Sequence, residues 1–221
     1  MGILYIIATP IGNLGDITLR ALETLEKADM IACEDTRVTS KLLNHYSIKK
    51  PLVSYHQHSR ITKVDYIISE LKKGKNIALV TDAGTPGISD PGNYLIEKLL
   101  NNQIAIIPIP GPSALGAIIS VAGIDMQKFV YLGFPPHKKG RETFFKEVAN
   151  FKIPVIYFES PHRVIKNLEL LKALNAEKNV IIGRELTKMF EEIIRGNVQK
   201  VLRYFEDNSD KVKGEFVIII Y

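Results

Sequence analysis

Cysteine is almost absent from this chain: Cys33 is the single thiol in 221 residues. One cysteine excludes a disulfide framework and a Cys-rich zinc module, and it suits a reducing compartment. No apolar run approaches the roughly 18 residues that a membrane span needs. The opening stretch MGILYIIATP lacks a basic segment and reads as a short strand, not a secretory leader. Ile6 stands where N-myristoylation requires a hydroxyl, so Gly2 carries no lipid signal. The expected address is the cytoplasm. Glycine (15) and proline (11) are too few for collagen-like or low-complexity sequence. His45, His56, His58, His137, His162 and the acids show no metal-ligand spacing, so no bound metal is expected. A Walker loop, a G-x-G-x-x-G fingerprint and a G-x-S-x-G elbow are all missing.

What is present is the material of a folded core. Apolar residues make up 46% and charged residues 24%, near the globular average, which rules out a disordered chain. The length suits one large domain or two of roughly 100 residues each. The formal net charge is +5. Residues 1–115 carry 12 Lys/Arg against 11 Asp/Glu, and residues 116–221 carry 17 against 13. A basic second half permits an anionic partner without naming one.

The first half alternates strand-length apolar runs with helical patterns. Strands are expected at Ile3–Ala8, Met30–Cys33, Leu52–Tyr55, Ile77–Thr81 and Ile104–Pro108. Between them, 18–27, 36–46, 60–73 and 94–101 carry helical stripes, such as Val64, Ile67, Ile68 and Leu71. This β-α repetition predicts an α/β fold with a mainly parallel sheet and helices on its faces. The rigid turn Pro108–Pro112 places a boundary there, giving domains 1–112 and 113–221. In the second half, strands are expected at Phe129–Gly133, Pro154–Glu159, Val180–Arg184, Glu191–Arg195 and Glu215–Tyr221. Helices are expected at 113–121, 142–150, 162–171 and 197–204. Fewer helices between closer strands predict a mixed sheet.

The Gly/Pro-rich polar segments fall after strands, where parallel sheets place their chemistry. Thr9–Asp16 follows the first strand, and its glycines permit close backbone approach. Asp35 reads two ways: as a base or hydroxyl-orienting group, or as the N-cap of the next helix. Arg37 equally offers a bidentate grip on phosphate or an ion pair. The twelve residues Thr81–Gly92 hold three glycines, two prolines and two acids, Asp82 and Asp90. Such a stiff loop exposes backbone donors and acceptors to a flat polar ligand, and one this long without a job is uncommon. Ser113 either caps the following helix or meets a ligand. Cys33, inside an apolar strand, reads as inert packing.

Taken in order, YIIATPIGNLGDIT, CEDTRVTSKLL, VTDAGTPGISDPG, PGPSA, YLGFPPHKKGR, YFESPHR, GRELTKMFEE and KGEFVIIIY cover essentially the whole chain. They resemble the ribosomal RNA small-subunit methyltransferase I group, within the tetrapyrrole (corrin/porphyrin) methylase superfamily. The resemblance implies a two-domain tetrapyrrole-methylase-like fold with S-adenosylmethionine in the interdomain cleft, and a homodimer. It implies 2′-O-ribose methylation of a cytidine in 16S rRNA of the small subunit. Position by position, it assigns cofactor contacts to Ala83, Gly84, Thr85, Ile88, Ser113, Ala114, Phe158 and Leu186. Two departures stand out. Gly84-Thr85-Pro86 replaces the Gly-Asp-Pro of many tetrapyrrole enzymes, and some members continue past the final strand, whereas this sequence ends at Tyr221.

On this reading Asp35 and Asp82 are the candidates for base or hydroxyl orientation, with Arg37 beside them. Arg163, Arg184 and Lys188 are candidates for RNA phosphate, with Glu159 and Glu185 alternatively holding those cations. Lys138, Lys139 and Arg141 form a basic rim. Tyr55, His56 and His58 are candidates for stacking on a displaced base. Two other readings stay open: a tetrapyrrole methyltransferase of the same fold, and a non-catalytic RNA-binding ribosome-assembly factor.

Overall fold

The computed structural model describes residues 1–55, 61–89 and 92–221. The chain divides into two compact units, Met1–Ser113 and Ala114–Tyr221. His56, His58, Asp90 and Pro91 lie outside the described residues.

In the first unit the apolar runs become β1 (Leu4–Ile7), β2 (Met30–Cys33), β3 (Leu52–Ser54), β4 (Ile77–Val80) and β5 (Ile106–Ile109). The helices between them are α1 (Leu19–Lys27), α2 (Thr36–His45), α3 (Ile61–Lys72) and α4 (Asn93–Asn101). The sheet is parallel in every described pairing, in the order β3-β2-β4-β1-β5. That order decides where the helices go. From β1 to β3 the chain moves one way across the sheet; from β3 to β5 it returns. Right-handed crossovers therefore put α1 and α2 on one face and α3 and α4 on the other.

The strand side chains divide accordingly. Leu4, Met30, Ala32, Ile77 and Leu79 join Ile67, Leu71, Leu95 and Leu99 on one face. Ile7, Ile31, Cys33, Ala78 and Val80 join Ala21, Leu25, Leu42 and Leu43 on the other. Both faces are covered, so the strands are apolar on successive residues instead of alternating with polar ones.

The second unit opens with α5 (Ala114–Ser120) and continues through β6 (Val130–Tyr131), α6 (Arg141–Asn150), β7 (Val155–Glu159) and α7 (Val164–Leu174). It ends with β8 (Asn179–Arg184), β9 (Glu192–Asn197), α8 (Val198–Asp207) and β10 (Phe216–Ile220). The sheet order is β6-β7-β10-β8-β9; β6 and β7 run parallel and the other neighbours antiparallel, a mixed sheet. Phe145, Leu168, Leu171, Val201 and Phe205 from α6, α7 and α8 bury one sheet face. Gly183 keeps the other face open to α5: a Cβ there would stand 2.9 Å from Ile118 Cδ1 and 3.0 Å from Val217 Cγ1.

Candidate active site

Strands β1 and β4 are neighbours whose following helices leave on opposite faces, so a crevice opens at their carboxyl ends. Here three loops are laced together by backbone. The Thr9 N–H donates to Gly84 O at 2.9 Å, and the Gly84 N–H donates to Thr9 O at 3.0 Å. Thr9 Oγ1 also donates to Thr81 O at 3.1 Å. The loop after β5 joins through Thr85 Oγ1, which donates to Pro112 O at 3.0 Å. Gly84 has φ +81°, in the left-handed region that suits glycine. Gly111 lies so close to the first loop that a Cβ would stand 3.1 Å from Ala8 Cβ.

The lacing leaves Asp82, Ala83 and Gly87 exposed while Gly84 and Pro86 are buried. The surface so formed consists of small side chains and main-chain polar groups. That donor set fits a flat polar ligand carrying both charges, such as an amino-acid-bearing nucleoside. Thr85 spends its hydroxyl on Pro112 O, in keeping with the loss of a carboxylate at that position. Ser113 closes the first unit and Ala114 begins α5.

Asp35 caps α2: the Arg37 N–H donates to its Oδ1 at 2.8 Å. The Arg37 guanidinium grips the same carboxylate, with Nε at 3.0 and 3.1 Å and Nη2 at 2.5 Å. The Asp35 N–H donates to Asp82 Oδ1 at 3.0 Å, which ties the β2 loop to the β4 loop. Arg37's hydrogen bonds, from guanidinium and backbone, hold the Asp35 carboxyl down at about 2. Capping and pairing thus occupy Asp35, and a carboxylate that weakly basic is a poor proton acceptor near neutral pH. Arg37 is fixed at one edge yet has an 85% exposed side chain. Cys33, buried beneath this loop, has its thiol pushed up by burial, with the charges of Asp82 and Asp35 assisting.

In the second unit the candidate cations fall into two groups. Arg163 is held internally: Nη2 faces Glu159 Oε1 at 3.3 Å, Nε donates to Ser160 Oγ at 3.0 Å, and Nη1 donates to Pro135 O at 3.1 Å. Glu159 is buried and also accepts from the Ser160 N–H and the Asn167 amide. Arg184 is buried, faces Glu192 at 3.5 Å and donates to Lys213 O at 3.5 Å. Lys188 bridges Glu185 at 3.0 Å and Glu215 at 3.1 Å. These three side chains are engaged within the unit, the role the sequence left open for Glu159 and Glu185. Lys138 and Lys139 are exposed and Arg141 half-buried; among the described residues no ion pair engages them. The expected stacking role of Tyr55 is corrected: it is 4% exposed, packed into the core with Val64 and Leu95, and has no ring face to offer.

Leu186 is buried between Glu185 and Thr187, both non-glycine residues with positive φ, +50° and +65°. The Glu185 carboxylate fixes this turn by accepting the Glu215 N–H at 2.8 Å. Gly214 makes room, since a Cβ there would stand 2.5 Å from that carboxylate. Phe158 is half-buried, edge-on to Tyr131 and Phe134, with ring centroids 5.4 Å away in each case. Among the described residues no cluster of three or more His, Cys, Asp or Glu is placed to hold a metal ion. No helix among them is long and apolar enough to cross a membrane.

Residues 3–202 match the family model described as tetrapyrrole (corrin/porphyrin) methylases. A relative from Synechocystis sp., named ribosomal RNA small subunit methyltransferase I, is 46% identical over 100% of this chain and 79% of its own length. A relative of the same name from Thermotoga maritima is 41% identical over 100% of this chain and 98% of its own. Among solved structures, a cobalt precorrin-4 methyltransferase superposes with a TM-score of 0.73 at 18% identity, covering 99% of this chain and 94% of the other. A uroporphyrin III C-methyltransferase from Thermus thermophilus gives 0.66 at 14% identity, covering 99% and 97%. At such identities the structural likenesses speak for the fold alone.

Proposed function

The chain belongs to the tetrapyrrole (corrin/porphyrin) methylase family, and from that premise we propose that it is a methyltransferase using S-adenosylmethionine to methylate a ribose 2′-hydroxyl of a cytidine in 16S rRNA of the small ribosomal subunit. The observation that carries the substrate class is the full-length likeness to relatives bearing that name. The laced loops support the cofactor. Ala83, Gly84, Thr85 and Ile88 would hold it with main-chain groups, joined by Ser113, Ala114, Phe158 and Leu186. When bound, S-adenosylmethionine supplies an electrophilic methyl group on a sulfonium.

The protein's own work is alignment and charge. A fixed in-line approach of hydroxyl to methyl contributes several kcal/mol. Asp35 orients: its cap and ion pair fix the loop, and its N–H holds Asp82 Oδ1. Asp82, exposed and bonded through one oxygen, is the better placed of the two to accept the hydroxyl proton. Arg37 presents its solvent-facing edge to a phosphate. Lys138, Lys139 and Arg141, which no ion pair engages among the described residues, steer the RNA, whereas Arg163, Arg184 and Lys188 shape the second unit from within. A homodimer and a cytoplasmic address belong to the same proposal.

The test is transfer of labelled methyl from S-adenosylmethionine to purified small subunits lacking the modification, with nuclease mapping. Label on one ribose 2′-oxygen supports the reading. Cofactor binding without transfer to subunits or free rRNA favours a tetrapyrrole substrate instead. Absence of cofactor binding favours a non-catalytic RNA-binding role.

A further inference from the structure

Phe134 is 53% exposed, yet its backbone is held on both sides. The Gly133 carbonyl accepts the Phe158 N–H at 2.8 Å. The Pro135 carbonyl accepts Arg163 Nη1 at 3.1 Å, and that guanidinium is itself braced by buried Glu159. Phe158 stands behind the ring, edge-on at 5.4 Å and 60°. A large apolar ring facing water on an immobilised loop contributes little to folding, but it is preorganised for a flat ligand.

The charge around it selects the ligand. Residues 134–141 hold three cations, Lys138, Lys139 and Arg141, and no Asp or Glu. His137, Lys138 and Lys139 are exposed. The other conspicuous apolar pair, Met189 and Phe190, sits in a turn beside Glu191, where the neighbouring cation Lys188 is held by Glu185 and Glu215. An exposed ring next to cations that no ion pair engages among the described residues suits single-stranded nucleic acid, whose bases stack and whose phosphates displace counterions. It suits an apolar peptide poorly, because such a partner leaves those cations without a counter-charge.

We propose that Phe134, with Lys138, Lys139 and Arg141, is the platform on which an unpaired base of the RNA substrate stacks. The proposal rests on the rRNA reading above and deepens it. The chain contains no tryptophan, so Phe134→Trp introduces a lone fluorophore at the platform.

A single-stranded RNA of about 10 nucleotides, within the range of one such module, should bind the Phe134→Trp protein at near-native affinity and quench the new indole. Phe134→Leu keeps apolar bulk and loses the ring. It should bind the same RNA about ten-fold more weakly, ~1.4 kcal/mol, with unchanged salt dependence, cofactor affinity and melting temperature. An unquenched indole, or native RNA affinity in Phe134→Leu, overturns the platform. Lost cofactor affinity in that variant also overturns it, by making Phe134 a cofactor contact. Quenching without methyl transfer to small subunits sinks the reaction and keeps the platform; transfer without quenching does the reverse.

Discussion

Arg163→Met separates two roles for one cation. In the structure Arg163 is an internal brace, with its side chain only 14% exposed and facing a Glu159 side chain that is 0% exposed. Removing one member of a buried pair leaves an uncompensated charge and costs ~3–5 kcal/mol. The lower end applies here, because Glu159 keeps the Ser160 N–H and the Asn167 amide. The bonds to Ser160 Oγ and Pro135 O are lost as well. For a unit of this size, about 3 kcal/mol lowers the melting temperature by on the order of 10 °C. Calorimetry or circular dichroism reads that fall, and RNA affinity measured against salt reads the alternative. Adding Glu159→Gln to Arg163→Met removes the stranded charge and should restore part of the loss. A melting temperature unchanged in Arg163→Met, with the log–log salt slope shallower by about one, would make Arg163 a phosphate contact and refute the brace.

The Asp35 carboxyl lies at about 2, below its ordinary 3.8. What its ionised form contributes is therefore complete above the ordinary value and lost only as pH falls toward 2; a carboxyl NMR titration with its midpoint near 3.8 would contradict this. Asp35→Asn keeps a capping oxygen and loses the Arg37 pair, so turnover should fall with cofactor affinity retained; unchanged methylation removes Asp35 from the site. Gly84→Ala forces an L-residue to φ +81° at a cost of ~1–2 kcal/mol, while its Cβ meets Ile11 Cγ2 at a tolerable 3.4 Å. The variant should fold and bind S-adenosylmethionine several-fold more weakly, and calorimetric titration giving an unchanged constant would detach this loop from the cofactor. Tyr157 is fully buried and its hydroxyl has no hydrogen-bond partner among the described residues, so Tyr157→Phe should raise stability by about 1 kcal/mol in urea unfolding. A loss of stability would mean that the hydroxyl is satisfied.

The parts of the fold legible in the sequence are those fixed by local pattern. Paired apolar runs with helical stripes between them specify a parallel sheet covered on both faces, and β2 occupies the residues expected. Misplaced boundaries have local causes. Strand β5 was expected at Ile104–Pro108 and runs Ile106–Ile109. Pro108 reads as a stop, but β5 is an edge strand, where a missing N–H on the open side costs no ladder bond. Ile104 is buried in the core without belonging to the strand. The helix expected from His162 begins at Val164, because Ser160–Arg163 first forms a turn in which the Arg163 N–H donates to Ser160 O. Strand order depends on which faces complement one another across the whole unit, and no window of sequence carries that.

The candidate site divides along the same line. Loops rich in glycine and proline after strands β1, β4 and β5 announce themselves, because close backbone approach needs those residues. Cations do not, because a sequence shows charge without its partner. Arg163, Arg184 and Lys188 sit in segments that read as an RNA face, and each is turned inward by a carboxylate of its own unit. For Arg163 a signal was present: Glu159 lies four residues earlier, at the end of a strand whose last residue faces the core. For Arg184 the partner Glu192 lies across the β8–β9 ladder, and only the strand register brings them together. Phe134 is silent in the sequence for the opposite reason, since an aromatic residue between glycine and proline in itself carries no mark of its exposure. Its distinguishing mark is the acid-free basic segment that follows it, residues 135–141, because a ring destined for the core has no need of a run of cations beside it.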